Sequence, residues 1–285
     1  MLVTACIVAL LGVITYYLSV RVTSDKPGST LGSGPMFDSI APYYDSANKI
    51  MSLGLDQSWR KSLVDNLDLR TNDMVLDIST GTGDVAIWIA KKFQSLGKTD
   101  GQPITGLDPS SKMLSFATAK ISGGGLDKLI KLIEGNAENM DKLKNDYYDK
   151  VTMSFGIRNV PDRLKALREI HRVMRPDGKL IIMEFSTPSS GYLAPLSRFF
   201  LQYFVPIAGG LVSGGRTAEY DHLRDSILNF PSPAGFKDMI SESGFSDCTN
   251  VDLFLDAVYL YICRKVVPKA FFTKAESIDM VQSVL

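Results

Sequence analysis

Short apolar segments that alternate with helical patterns are the feature that most constrains the fold of this chain. The predicted strands are 74–78, 103–107, 129–133, 150–155 and 179–185, and the helical patterns that follow three of them are 84–93, 110–121 and 161–174. This alternation predicts parallel strands joined by helices that cover both faces of the sheet, which is a doubly wound α/β fold. Two further segments, 252–254 and 257–263, indicate a final hairpin and raise the number of strands to seven.

The first predicted strand ends in a turn with two glycines, Ser79-Thr80-Gly81-Thr82-Gly83-Asp84. Glycine adopts backbone angles that other residues avoid, and it lets a ligand approach the main chain. The helix after the turn directs unpaired N–H groups to the same place. No Gly-Lys-Ser/Thr follows, so a phosphate-binding P-loop is excluded, and position 86 is alanine instead of a third glycine. The turn alone leaves open whether it binds a nucleotide or only reverses the chain.

Two carboxylates favour a nucleotide ligand. Asp108 ends the second predicted strand in Gly-Leu-Asp-Pro-Ser, where an acid hydrogen-bonds ribose hydroxyls in dinucleotide-binding folds. Asp77 ends the first strand and supplies a second carboxylate. A ligand with a ribose and a cationic amine suits this pair better than a pyrophosphate does, so we expect the cofactor to be S-adenosylmethionine.

Composition narrows the function classes. Lys plus Arg and Asp plus Glu both number 31, so nucleic-acid binding, which relies on clustered positive charge, is not expected. The three cysteines show no C-x-x-C spacing and the two histidines are far apart in the sequence. We therefore expect neither a metal site nor a disulfide framework.

The N-terminal region has a different character from the rest of the chain. Residues 1–22 are hydrophobic, and 2–20 include no charged residue. This length is close to the roughly 20 residues that span a bilayer as a helix, so we expect a membrane anchor, with a signal peptide or a buried terminal helix as alternatives. A Gly- and Pro-rich linker at 23–35 precedes the folded domain, predicted over 36–265, with an insertion at 186–233 and a tail at 266–285.

Several longer motifs occur in a fixed order. They are FDSIAPYYDSANKIMSLGLDQSWR, LDISTGTGD, GNAENM, SFGIRNVPD, EFSTP and EYDHLRDSILNFP. In this order they resemble the C-methyltransferase family of ubiquinone and menaquinone biosynthesis. The resemblance implies a class I, Rossmann-like methyltransferase fold with a mostly parallel seven-strand sheet. It also implies S-adenosylmethionine-dependent C-methylation of a prenylated benzoquinol or naphthoquinol.

The resemblance further implies a set of site residues. The implied cofactor contacts are Asp77, Gly81, Thr82, Gly83, Asp108, Asn136 and Ala137, and the implied substrate contacts are Tyr43, Tyr44, Tyr220 and His222. Arg158 and Asn159 follow the fourth strand and are the predicted catalytic residues. Our hypothesis is that Arg158 stabilises a phenolate on the substrate, and the alternative is a structural ion pair with a nearby acid. His222 stands where the family has a tyrosine, so it is either a base or a packing residue.

The anchor and the substrate class also predict partners and a location. We expect a prenylated quinol and a membrane as partners, a homodimer or multi-protein complex, and the inner mitochondrial membrane, with a plastid or other organellar membrane as the alternative. A second functional hypothesis is a catalytically silent methyltransferase-like subunit of a membrane assembly. His222, and Asp56 at a position where the family commonly has histidine, fit that alternative, whereas the intact glycine turn, Asp108 and Arg158 argue against it.

Overall fold

The computed structural model describes residues 34–186 and 217–266, without the side chains of 217–220. The predicted anchor at 1–22 lies outside the described residues, as do most of the linker and of the insertion and nearly all of the tail. In the part that is described, no helix is both long enough and apolar enough to cross a membrane. Within the described residues, the first helix begins at Gly34, inside the predicted linker.

The centre of the fold is a seven-stranded sheet with the order β3-β2-β1-β4-β5-β7-β6. The strands are β1 Val75–Ile78, β2 Ile104–Asp108, β3 Ile130–Glu134, β4 Tyr148–Ser154, β5 Met174–Phe185, β6 Ser246–Phe254 and β7 Val258–Arg264. Strands β1 to β5 are parallel, and β7 lies antiparallel to both β5 and β6. The predicted mostly parallel α/β sheet is therefore confirmed.

Eight α-helices lie in the described ranges. They are α1 Gly34–Ile40, α2 Tyr44–Met51, α3 Asp56–Asp65, α4 Asp84–Ser95, α5 Ser111–Gly123, α6 Arg163–Val173, α7 Thr217–Leu228 and α8 Pro233–Glu242. A 3-10 turn at Ile157–Asn159 follows β4. The side chains of Ser110, Asp162 and Ser232 each accept a main-chain N–H in the first turn of α5, α6 and α8, as N-cap residues do.

Apolar side chains cover both faces of the sheet. All four residues of β1 are buried, and they alternate between two apolar clusters, with Val75 in one and Leu76 and Ile78 in the other. Burial on both faces explains why the strands are apolar without a polar alternation. Helices α3 to α5 contribute to the first cluster, and α6 and α8 contribute to the second.

This topology places a ligand site at one edge of the sheet. The strand order reverses between β1 and β4, which are neighbours although β2 and β3 come between them in sequence. In open parallel sheets, ligands bind beyond the carboxyl ends of the strands at such a reversal. The glycine turn, Asp108 and Arg158 all follow carboxyl ends at this edge.

The expectation that the cysteines do not form disulfides was wrong. Cys248 and Cys263 form a disulfide between β6 and β7. The two cysteines are 15 residues apart in sequence, and antiparallel pairing brings them side by side. Sequence spacing could not show this, because the pairing depends on a register that includes irregularities in β6.

Candidate active site

The two glycines of the turn are needed for different structural reasons. Gly81 has φ +56 and Gly83 has φ +87, in the left-handed region that favours glycine. A Cβ on Gly83 would lie 3.1 Å from the Cβ of Ala117, so this glycine permits close packing of α4 against α5. A Cβ on Gly81 would meet no atom closer than 3.9 Å, because Gly81 faces a cavity.

Asp77 lies behind the turn and not on the cavity surface. Its side chain is buried and accepts hydrogen bonds from the hydroxyls of Thr80, at 2.6 Å, and Thr152, at 2.7 Å. Burial raises the pKa of Asp77 to about 6, in spite of these two hydrogen bonds. The carboxylate therefore links the glycine turn to β4 through hydrogen bonds. Asp77 is not a lining residue of either of the two cavities described below.

Asp108 is the acidic group of the cavity beside Gly81, which we call the glycine-turn cavity. Its Oδ2 accepts the Gly81 N–H at 2.8 Å, and its Oδ1 accepts the Ser110 N–H at 2.9 Å. Burial raises the pKa of Asp108 to about 6, and the two main-chain hydrogen bonds oppose that shift. Each oxygen keeps a lone pair that can accept a hydroxyl from a ligand.

The glycine-turn cavity also includes the loop after β3. Its lining residues are Gly34, Phe37, Tyr44, Ser79, Gly81, Asp108, Pro109, Met113, Asn136, Ala137, Glu138, Ser154, Phe155, Gly156, Asn159, Val160 and Pro161. The Oδ1 of Asn136 accepts the Glu138 N–H at 2.9 Å, so Asn136 stabilises this loop and also lines the cavity. Four predicted cofactor residues, Gly81, Asp108, Asn136 and Ala137, thus share one cavity.

Thr82 and Gly83 are not lining residues of this cavity. The hydroxyl of Thr82 donates to Asp45 Oδ1 at 2.7 Å and accepts from Lys120 Nζ at 2.9 Å. Lys120 also pairs with Asp45 at 2.6 Å and with Asp84 at 2.7 Å. This half of the turn therefore links α2 to α5. No local motif could indicate this contact, because its partners come from distant segments of the chain.

A second cavity, the aromatic cavity, adjoins the first. Its lining residues are Met36, Phe37, Ile40, Tyr44, Ala47, Asn48, Met51, Ser52, Asp56, Trp59, Arg60, Phe155, Arg158, Asn159, Phe185, His222, Leu223, Phe254 and Ala257. Phe37, Tyr44, Phe155 and Asn159 line both cavities. Including their mouths, the two cavities enclose about 1020 and 940 Å³.

Arg158 is held by an ion pair with Glu184 at the end of β5. Its Nη1 donates to Glu184 Oε1 at 2.8 Å and to the Phe155 carbonyl at 2.6 Å. The Glu184 side chain is fully buried, and that of Arg158 is 8% exposed. The structural ion pair that we gave as the alternative therefore exists. It leaves Arg158 Nε buried without a hydrogen-bond partner, beside the aromatic cavity.

The four predicted substrate residues do not all lie in one cavity. Tyr44 lines both cavities, and burial raises the pKa of its hydroxyl. His222 lines the aromatic cavity, with Nε2 at 3.4 Å from Asn159 Oδ1. Tyr43 is 41% exposed and is not a lining residue of either cavity. The side chain of Tyr220 lies outside the described residues.

Sequence reasoning missed Glu184 and most of the aromatic lining. The Trp59 ring packs on Phe155 at 6.3 Å and on Phe254 at 5.8 Å, and Phe155 packs on Phe185 at 4.7 Å. Glu184 is an acid that directly follows the apolar run 180–183 near the end of β5. That isolated charge was the available signal for a buried ion pair.

Two ligand cavities of different character adjoin at this edge of the sheet. A carboxylate faces hydroxyl-binding space beside a glycine turn, and a mostly apolar ligand cavity opens next to it. The overall fold matches a putative S-adenosylmethionine-dependent methyltransferase from Methanococcus maripaludis, with a TM-score of 0.59 and 18% identity. That match covers 87% of this chain and 100% of the other. The fold class is therefore that of the S-adenosylmethionine-dependent methyltransferases.

The family is defined by sequence comparison. Residues 29–263 match the model of the ubiE/COQ5 methyltransferase family, and the chain belongs to that family. A ubiquinone/menaquinone biosynthesis C-methyltransferase UbiE from Citrifermentans bemidjiense is 38% identical over 81% of this chain and 94% of its own length. A demethylmenaquinone methyltransferase from Thermotoga maritima is 40% identical over 74% of this chain and 86% of its own.

These findings settle three expectations. The predicted family and the methyltransferase activity are confirmed, and S-adenosylmethionine is the cofactor. The predicted inner mitochondrial membrane location is wrong, because these relatives are bacterial proteins and bacteria have no mitochondria. The hydrophobicity of 2–20 misled the prediction, since hydrophobic length alone does not specify an organelle.

Proposed function

We propose that this chain transfers a methyl group from S-adenosylmethionine to a ring carbon of a prenylated quinol, either a benzoquinol or a naphthoquinol. The single observation that carries the proposal is the contact between two unlike cavities at Tyr44, Phe155 and Asn159. Methyl transfer requires donor and acceptor to meet in line, and adjoining cavities bring two ligands together in that way. The names of the two relatives, which include ubiquinone, menaquinone and demethylmenaquinone, support this substrate class.

The donor fits the glycine-turn cavity. Asp108 offers a carboxylate for ribose hydroxyls, and Gly81 leaves the main chain accessible. The apolar side chains of Met113 and Ala137 suit the faces of a purine. We therefore propose Gly81, Asp108, Asn136 and Ala137 as cofactor contacts. In this proposal Asp77 and Thr82 act indirectly, by holding the turn in place.

The acceptor suits the aromatic cavity. Trp59, Phe155, Phe185 and Phe254 provide flat apolar surfaces on which a quinol ring can pack. Three of its polar side chains, Arg158, Asn159 and His222, lie at or beside the wall that the two cavities share. A planar ring with hydroxyl groups at its edge needs this combination.

Arg158 supplies charge where the substrate develops it. Bound S-adenosylmethionine would supply an electrophilic methyl group, so the protein must make the ring carbon nucleophilic. A ring carbon gains electron density when its neighbouring hydroxyl loses a proton. Arg158 Nε and Asn159 Nδ2 are buried donors without a partner, and they can both donate to the resulting oxyanion. Glu184 fixes the guanidinium in this position.

An assay with defined quinols tests the proposal. The full chain is incubated anaerobically with isotopically methyl-labelled S-adenosylmethionine and either a short-chain prenylated benzoquinol or naphthoquinol. We expect the label on a ring carbon of at least one quinol, as identified by mass spectrometry and NMR. Label on oxygen, or no transfer by protein that binds the cofactor, would contradict the proposal. The second of these results would favour a catalytically silent subunit.

A further inference from the structure

His222 occupies a position that the reaction can use. It lies on α7 and lines the aromatic cavity, and its Nε2 is 3.4 Å from Asn159 Oδ1. Asn159 lies on the wall that the two cavities share, so His222 stands one residue away from the meeting point of the two ligands. Contacts of this length in a protein without bound ligands commonly shorten when substrate binds.

The proton of the substrate hydroxyl needs an acceptor, and the other polar groups of the aromatic cavity are poorly suited. A guanidinium keeps its proton near neutral pH, so Arg158 is not an acceptor. Glu184 already accepts from Arg158 Nη1 and from the main-chain N–H groups of Arg158 and Phe185.

Asp56, the carboxylate among the lining residues of this cavity, is engaged on both oxygens. It accepts from Ser52 at 3.1 Å and from Gln57 at 2.9 Å, and it also pairs with Arg60. Burial raises the pKa of the Tyr44 hydroxyl, which makes its oxygen a proton donor at neutral pH. Within the described ranges, this leaves the His222 ring as the lining group with a free basic nitrogen.

The surroundings keep the His222 ring neutral. Burial lowers its pKa, the positive charge of Arg158 lowers it further, and Asp225 on α7 opposes both effects. Asp221 and Arg224 on the same helix pair with each other at 3.0 Å, and Glu184 on β5 balances the charge of Arg158. In the neutral ring, an Nε2–H that donates to Asn159 Oδ1 leaves the lone pair on Nδ1.

We propose that His222 is the general base that accepts the hydroxyl proton of the quinol, and this rests on the proposed function. The hydroxyl proton moves to His222 Nδ1, and the electron pair stays on the oxygen facing Arg158 and Asn159. The ring carbon–methyl bond forms as the sulfur–methyl bond breaks, and the sulfur keeps that bonding pair. The hydrogen on the methylated carbon then leaves as a proton to solvent, while His222 returns its proton to the oxygen.

The test compares variants of the two histidines. His171, on α6, packs edge-on against Phe245 and is not a lining residue of either cavity, so H171Q is the matched control. Turnover is measured from pH 5 to 9 for the full chain, H222Q and H171Q. S-adenosylmethionine is kept saturating at every pH so that titration of Asp108 does not enter. H222Q keeps a hydrogen-bonding side chain, and its cofactor affinity reports whether the site is intact.

We expect the unsubstituted chain to lose turnover as pH falls through the pKa of His222. H222Q should be about 100-fold slower at pH 7.5 and should lack that acidic limb, as removal of a general base predicts. H171Q should keep the limb. A long-range 15N spectrum, with the two histidines assigned through H171Q, should show His222 as the Nε2–H tautomer titrating below 6.5.

The outcomes separate this inference from the proposed function. Quinol turnover by the unsubstituted chain together with an unchanged pH profile in H222Q would overturn only the role of His222. A doubly protonated His222 ring at pH 7.5 would also overturn it. Absence of quinol turnover by the unsubstituted chain would overturn the proposed function and this role together.

Discussion

The two adjoining cavities are built from different parts of the chain. The glycine-turn cavity consists mainly of segments that follow strand ends. Two of its residues are joined by a hydrogen bond from the main-chain N–H of Gly81 to the Asp108 carboxylate. The aromatic cavity consists of side chains from α1 to α3, the segment after β4, the ends of β5 and β6, the loop after β6, and α7. The first can therefore be inferred from local motifs, whereas the second is formed by residues that meet only in the folded protein. This contrast predicts that substitutions will separate cofactor binding from turnover.

The largest loss of turnover should come from a substitution in the aromatic cavity. We expect R158A to lower kcat by about 10²–10³-fold while cofactor affinity changes little, because an oxyanion donor is lost. R158K keeps a positive charge opposite Glu184 but lacks Nε, so it should fall between R158A and the unsubstituted enzyme.

The matched control for these variants is R168A. Arg168 is exposed and makes only a distant 3.8 Å pair with Glu242, so kcat should not change. Turnover is measured with S-adenosylmethionine saturating, and affinity by calorimetry. Full turnover in R158A with normal binding of both ligands would show that Arg158 has only its structural ion pair.

On the glycine-turn side, D108N should weaken S-adenosylmethionine binding by about 10–100-fold, since a hydrogen bond to a charged group contributes roughly 1.5–3 kcal/mol. The kcat at saturating cofactor should change much less. Asp100 is exposed in the loop before β2, and D100N serves as the control. If D108N lowered kcat strongly and left calorimetric affinity intact, the division of roles between the cavities would be incorrect.

D108N should weaken cofactor binding but should raise the stability of the folded protein near neutral pH. Burial raises the pKa of Asp108 to about 6, so the folded protein holds this proton more tightly than the unfolded chain. The free energy of unfolding contributed by Asp108 therefore declines as pH rises from about 4 to 6, and it is level above that range.

D108N removes this pH dependence. Its stability relative to the unsubstituted chain should rise between pH 4 and pH 7 by at most roughly 3 kcal/mol, the equivalent of two pKa units. Urea unfolding at several pH values measures the difference. A constant difference across this range would show that the carboxyl is not perturbed.

The smallest effect is expected where α2 is attached to the turn. D45N removes the negative charge that accepts from Thr82 and pairs with Lys120, and Asp45 is 43% exposed. Partly exposed ion pairs contribute about 1 kcal/mol or less, so KM for either ligand should rise no more than about fivefold. D65N, in the exposed Lys61–Asp65 pair of α3, should leave both KM values unchanged. Equal KM values in D45N and D65N would mean that the contact does not position the cavity wall.

Sequence predicted the cofactor side better because its signals are local. The glycine turn after β1 and the aspartate that ends β2 are each a short local pattern at a strand end, so the positions of Gly81 and Asp108 followed from the sequence. Asp77, Thr82 and Gly83 belong to the same motif but face away from the cavity, because successive residues of a strand or turn point in different directions. A motif identifies the turn without identifying which of its atoms face the ligand.

The aromatic side was largely beyond sequence reasoning. Trp59 and Phe254 contact each other from opposite ends of the domain, and Glu184 acquires its role only because β4 and β5 are neighbours. The Cys248–Cys263 disulfide has the same origin in strand pairing. His222 was recognised from the family motif, but its contact with Asn159 required the position of α7.

The most direct test of two separate adjoining cavities uses tryptophan fluorescence. The chain has two tryptophans, and Trp59 lines the aromatic cavity whereas Trp88 is hydrogen-bonded to Gln57. In W88F, a short-chain naphthoquinone or benzoquinone should quench Trp59 at low concentration, and saturating S-adenosylhomocysteine should not displace it. Quenching that is absent, or that S-adenosylhomocysteine abolishes by competition, would contradict the central claim that donor and quinol occupy different, adjoining cavities.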